Sequence, residues 1–152
     1  MVAKNCDAAV PDPGELAEVD RVMLAQVDAL ADKARGLMKD LALHTILAEI
    51  WAVVAEANRY FAGQEPWKLR KSDPARMNAV LYTTLETIRG VGILVQPFVP
   101  DSAGRLLDLL AVPGDARDFA ALGEGGRLVP GTPLPAPSPV FPRFERPEAP
   151  AA

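Results

Sequence analysis

One cysteine and one histidine occur in 152 residues, and each scarcity excludes chemistry. A lone Cys6 cannot form an internal disulfide and suits a reducing compartment. It has no paired histidine motif and lies near a terminus, so a thiol nucleophile is not expected. His44 has no cysteine or histidine at metal-ligand spacing, which leaves it a structural or solvated role. Long apolar runs are missing too. None approaches the roughly 20 residues of a membrane helix, and the opening Met1-Val2-Ala3-Lys4-Asn5-Cys6 lacks a signal-peptide core. A cytoplasmic chain without a membrane partner is the expectation. No Walker loop and no Gly-x-Gly-x-x-Gly fingerprint is present. The glycines at 123, 125 and 126 follow no strand and make no phosphate loop. There is no internal repeat and no convincing strand alternation.

What remains is a soluble, one-domain composition, 49% hydrophobic and 24% charged. The net charge of −4 is unevenly spread. Residues 1–57 and 106–152 are acidic and residues 58–105 are basic, a weak cationic island suited to a local phosphate contact. Helical periodicity dominates. After the turn cluster Val10-Pro11-Asp12-Pro13-Gly14, a first long helix is expected over 16–38, with Val19, Val22, Met23, Val27, Leu30 and Leu37 inward and its acidic residues solvated. A second is expected over 40–62, capped by Asp40 and closed by Gly63. Leu43, Ile46, Leu47, Ile50, Trp51, Val54 and Phe61 form its buried face. Asp73-Pro74 starts a third helix that runs to Val95. Within it Gly90 and Gly92 each cost roughly 1 kcal/mol, and their expected use is close helix approach. Asp101 caps a fourth over 102–110. From Val112 the character changes to a helical turn over 115–122 and then a Pro-rich tail from Leu128, an extended strap or a disordered end. Val140, Phe141 and Phe144 are its expected anchors. The fold class is all-α, a helix bundle over 1–111 with a Pro/Gly-rich tail over 112–152.

The one stretch with a working character lies between Phe61 and Ser72. Pro66 bars helix continuation. Trp67 follows it, with Lys68, Arg70 and Lys71 close behind. A tryptophan on a rigid corner beside cations suits stacking on an unpaired base, with the cations reaching phosphates. Composition alone favours the plainer reading, a cap on the core at the helix turn.

Asn58-Arg59-Tyr60 followed by Glu65-Pro66-Trp67-Lys68-Leu69-Arg70-Lys71 resembles the Asn-x-Tyr…Pro-Trp-x-x-x-Lys motif of the methionyl-tRNA synthetase anticodon-binding domain. The likeness extends along the chain in order. Lys4-Asn5-Cys6 and Val10-Pro11-x-Pro13-Gly14 resemble the domain's bacterial opening. Leu94-Val95-Gln96-Pro97-Phe98-Val99-Pro100 resembles its helix end, and Pro139-Val140-Phe141-Pro142-Arg143-Phe144-Glu145 its closing motif.

The resemblance implies a helix bundle of the class I synthetase anticodon-binding type, incomplete at its N-terminus, with a Pro-rich strap. Family members join methionine to tRNA with ATP and Mg²⁺, through a catalytic domain with His-Ile-Gly-His and Lys-Met-Ser-Lys-Ser signatures. Neither signature occurs here, so no cofactor and no catalytic residue is expected in this chain, and alone it should be inactive. The implied partner is the methionine anticodon stem-loop of tRNA, with a catalytic domain supplied by another chain as a further possibility. The implied tRNA-binding residues are Trp67, Lys68, Arg70, Lys71, Asn58 and Arg59. In the family an Asn-x-x-x-Arg pair on a preceding helix reads the bases, and that helix is absent from this sequence. Without it the second helix should leave an apolar patch uncovered, which favours self-association or lower stability. The alternative is a free-standing helical interaction or tRNA-binding module with no ligase role.

Overall fold

The computed structural model describes residues 1–142. Six α-helices follow in order: α1 (Val2–Asn5), α2 (Glu18–Met38), α3 (Leu43–Gln64), α4 (Pro66–Ser72), α5 (Pro74–Val95) and α6 (Pro100–Leu109). Three 3₁₀ turns come after them, Gly114–Ala116, Phe119–Ala121 and Glu124–Gly126. Among the described residues there is no strand, only an antiparallel bridge between Ala9 and Pro133. The all-α expectation holds. None of these helices is long and apolar enough to cross a membrane.

The central element is α5, which touches α2, α3, α4 and α6. Most of its 22 residues are buried, the polar Thr83, Glu86, Thr87 and Arg89 among them. Its start is as the sequence indicates: Pro74 opens the helix and the Asp73 carboxylate accepts the Arg76 N–H at 3.0 Å. On one side of α5, Met23, Val27 and Leu30 of α2 meet Ile46, Ile50 and Val53 of α3. On the other, Val10, Leu107, Leu110, Val112 and Leu128 form a second core with Tyr82 and Ile93. Gly90 and Gly92 are used as expected. A Cβ on Gly90 would lie 2.3 Å from Val27 Cγ1, and one on Gly92 would lie 3.1 Å from Leu107 Cδ2.

Several expectations need correction. Trp51 is not core: it is 60% exposed. The inward row of α3 runs through Ile46, Ile50 and Val53, and position 51 lies about 100° round the helix from 50. Leu43 lies close to that inward row yet is exposed at the first position of α3, and Val19 and Val22 are exposed on α2. Asp40 does not cap α3. Leu41 turns through positive φ (52°) and Ala42 takes the N-cap position without a side-chain bond. Asp101 lies inside the first turn of α6, which Val99 precedes as N-cap. There its carboxylate complements the helix dipole. The single helical turn expected over 115–122 is two 3₁₀ turns, the second capped by Asp118, which accepts the Ala120 and Ala121 N–H groups at 2.9 and 3.0 Å.

The strap begins as expected. Val10 N–H donates to Thr132 O at 2.9 Å, and Leu134 N–H to Ala8 O at 2.7 Å. Behind it lies a buried ionic cluster the sequence reading lacked. Arg89 and Glu86 pair in the interior, and Glu86 also accepts Leu128 N–H and Arg127. Arg89 reaches Ala121 O at 2.8 Å and Arg127 reaches Asp28 at 2.7 Å. These bonds satisfy the buried charges and fasten residues 121–128 to the bundle. Further on, Val140 O accepts from Arg105 at 3.3 Å. Phe141 is 75% exposed and anchors nothing; Phe144 lies outside the described residues.

Candidate nucleic-acid interface

The expected break between Phe61 and Ser72 is sharper than a loop. Helix α3 continues through Gly63 to Gln64, so Gly63 is not the cap. Glu65 alone turns the chain, in the left-handed region at φ 45°, ψ 53°. Pro66, next in line, disfavours right-handed helix at the residue before it and opens α4 at its first position. Pro66 is buried and wedges the elbow against the bundle.

Trp67 is therefore the second residue of a short helix at the bundle's end. It is 49% exposed, which leaves part of its surface open while the rest packs. Its ring meets that of Phe61 at a centroid distance of 6.0 Å and a 55° tilt, a favourable aromatic geometry. Lys68 pairs with Glu65 one turn back, Nζ to Oε1 at 2.7 Å. Arg70 and Lys71 lie in the last turn of α4, exposed, and among the described residues neither has an acidic partner within ion-pair distance. The two remaining site residues diverge. Asn58 borders a groove with Val54, Phe61, Thr84, Ile88 and Leu106. Arg59 borders a different hollow, with Lys33 and Glu49, and its guanidinium pairs with Glu56. Trp67, Lys68, Arg70 and Lys71 thus form one surface on α4. Asn58 joins its flank one turn before Phe61, and Arg59 faces the α2 side.

Beneath this corner lies a network the sequence did not reveal. Asp20, expected among solvated acids, is fully buried. Its carboxylate accepts Ala17 N–H at 2.8 Å, the Tyr60 hydroxyl, and both terminal nitrogens of Arg76. Those four donors match the capacity of one carboxylate. Burial alone would raise the Asp20 carboxyl, but the Arg76, Tyr60 and Ala17 hydrogen bonds outweigh it and hold the group below the usual carboxylate range. Burial, with Asp20 as acceptor, pushes the Tyr60 phenol up. The one available signal was local: Asp20 sits at the third helical position, where a carboxylate reaches back to the N-cap N–H. Its partners are 40 and 56 residues away in sequence.

Elsewhere the chemistry is sparse. Burial pushes the Cys6 thiol up, and its Sγ lies 3.6 Å from Asn78 Oδ1, so no activated thiolate forms. Among the described residues no three His, Cys, Asp or Glu side chains gather as a metal site.

The helical bundle is of the class found in aminoacyl-tRNA synthetases, as its likeness to solved structures shows. The apo methionyl-tRNA synthetase of Mycobacterium tuberculosis superposes with a TM-score of 0.90 at 47% identity, over 97% of this chain and 30% of that one. The same enzyme in complex with methionyl-adenylate gives 0.90 at 48% identity, over 94% of this chain and 28% of that one. The family model for the anticodon binding domain of methionyl tRNA ligase matches residues 10–149, and the chain belongs to that family. The methionine–tRNA ligase of Rhizobium meliloti is 60% identical over 149 residues, 98% of this chain and 29% of the relative. That of Brucella suis is 60% identical over 144 residues, 95% of this chain and 28% of the relative. The chain thus spans under a third of the relatives it matches.

Proposed function

We propose that this chain is the tRNA-binding portion of a methionine–tRNA ligase, and that the surface of α4 meets the methionine anticodon stem-loop. The observation that carries this is Trp67, half exposed on a braced corner with Arg70 and Lys71 beside it. An indole so held offers a stacking face at small entropic cost, and the two cations lie where a backbone phosphate would follow the stacked base. Lys68 contributes less because Glu65 offsets its charge. Asn58 on the flank offers an amide for a base edge. Arg59, turned toward α2, fits a phosphate more distant from the stacked base.

Ligation needs ATP and Mg²⁺, and the described residues do not fit them. They gather no carboxylate cluster, and no glycine-rich turn follows a strand. The chain's share is binding and orientation of tRNA, with activation of methionine left to a catalytic domain in the same or another chain. Work on tRNA in translation would put it in the cytoplasm. Exposed Trp51, on the face of α3 that leads to the groove at Val54 and Asn58, favours a second reading: a helical module that also packs against a protein partner.

The test is titration of a labelled methionine anticodon stem-loop with the 152-residue chain at several salt concentrations. Saturable binding that weakens steadily as salt rises is expected. Absence of binding at low salt would remove the proposal.

A further inference from the structure

Helix α4 has only seven residues, too few to hold its own shape in water. Something outside it must fix the direction in which Trp67 points. Phe61 supports the ring but does not fix the helix. At the C-terminal end, Asp73 N–H closes on Leu69 O at 2.8 Å, and the Asp73 carboxylate takes the Arg76 N–H at 3.0 Å. At the N-terminal end, Gln64 immediately precedes the left-handed Glu65. Its Oε1 accepts from Arg76 Nη2 at 2.6 Å. The same Nη2 donates to Asp20 Oδ1 at 2.8 Å. Arg76 therefore grips both ends of α4, by its backbone at one and by its side chain at the other. Its guanidinium is held in turn by the buried Asp20 on α2.

We infer that Arg76, seated on Asp20 and reaching Gln64, is a positioning device that sets the elbow at Glu65 and with it the direction of Trp67. The planar guanidinium suits the task because its fixed fork can hold a carboxylate and an amide oxygen at once. Gln64 is the detachable end. Without it the Asp20–Arg76–Tyr60 set stays satisfied, so the bundle stays folded while the elbow loses its side-chain tie and keeps only the seat of Pro66. The consequence for RNA rests on the tRNA reading above; the consequence for Trp67 motion does not.

The experiment uses the full chain with Trp51→Phe, so that Trp67 is the sole tryptophan. Gln64→Met keeps the length and helix preference of the side chain but removes the acceptor. Gln64→Glu keeps an acceptor. Time-resolved anisotropy and acrylamide quenching of Trp67 are read without RNA, and binding of the anticodon stem-loop is read separately. Gln64→Met is expected to add a fast component to the Trp67 anisotropy decay, raise quenching, and weaken RNA binding roughly 3–10-fold, part of one stacking contribution. Gln64→Glu is expected to restore all three. A Trp67 decay unchanged by Gln64→Met, or equally altered by Gln64→Glu, would overturn the inference. If Trp67→Ala leaves RNA binding untouched, the tRNA reading fails while the anisotropy data still decide the positioning role.

Discussion

At the residue scale, two acids that look alike in sequence do opposite things. Glu65 is exposed enough for water to screen it, and its pairing with Lys68 shields a cation on the α4 surface. Glu65→Gln should therefore tighten stem-loop binding, by roughly 2–5-fold at low salt and less as salt rises. Parallel titrations of the two chains give the ratio. Asp20 is buried and saturated with donors. Asp20→Asn breaks a buried pair, and the loss should be about 3 kcal/mol, the low end of the usual range because Arg76 keeps some access to water. The pH dependence has a definite sign. Asp20 is depressed in the folded state, so as pH falls the unfolded chain takes up its proton first. Its stabilisation is complete above the unfolded value, about 3.9, and is lost as pH falls through the folded value. The melting-temperature gap between parent and Asp20→Asn should narrow below about pH 4; a constant gap would contradict the pairing. Trp67 was legible because a tryptophan after Pro66 in a helix break is a local signal. Asp20 was not, because its partners on α3 and α5 meet it only in the fold.

At the scale of elements, the helices were legible and their edges less so. Asp73-Pro74 marked the start of α5 because cap and N1 proline are local chemistry. The elbow was not legible as a single residue. Gly63 looked like the natural stop, yet the left-handed turn falls on Glu65, one residue before Pro66, which disfavours right-handed helix there. The glycines of α5 were correctly read as close-approach positions. Their effects should differ. A methyl at Gly90 meets Val27, whose β-branched side chain is stiff and buried. Gly90→Ala should cost about 1–3 kcal/mol by denaturant unfolding, partly recovered by Val27→Ala. Gly92→Ala, with Leu107 at 3.1 Å and able to adjust, should cost less. The reverse order would contradict the α2–α5 packing.

At the scale of the whole molecule, the sequence conveyed the bundle and its family but misplaced the second tryptophan. Apolar periodicity marks every apolar residue near a stripe, and only the packing of α3 decides which row faces in. Trp51 lies outside that row, near a groove of about 370 Å³ between α3, α5 and α6. Trp51→Gln therefore discriminates. An exposed position costs within about 0.5 kcal/mol, whereas a core tryptophan replaced by a small residue costs roughly 3–5 kcal/mol. Urea unfolding of the variant separates the two. The proposed function separates the same two residues, since Trp67 shares α4 with Arg70 and Lys71, which have no acidic partner among the described residues. The most direct measurement compares stem-loop affinity for the parent chain, Trp67→Ala and Trp51→Ala under one salt condition. Loss of roughly 1–3 kcal/mol of binding with Trp67→Ala, and affinity close to the parent's with Trp51→Ala, is the predicted result. Equal affinity for parent and Trp67→Ala would contradict the account.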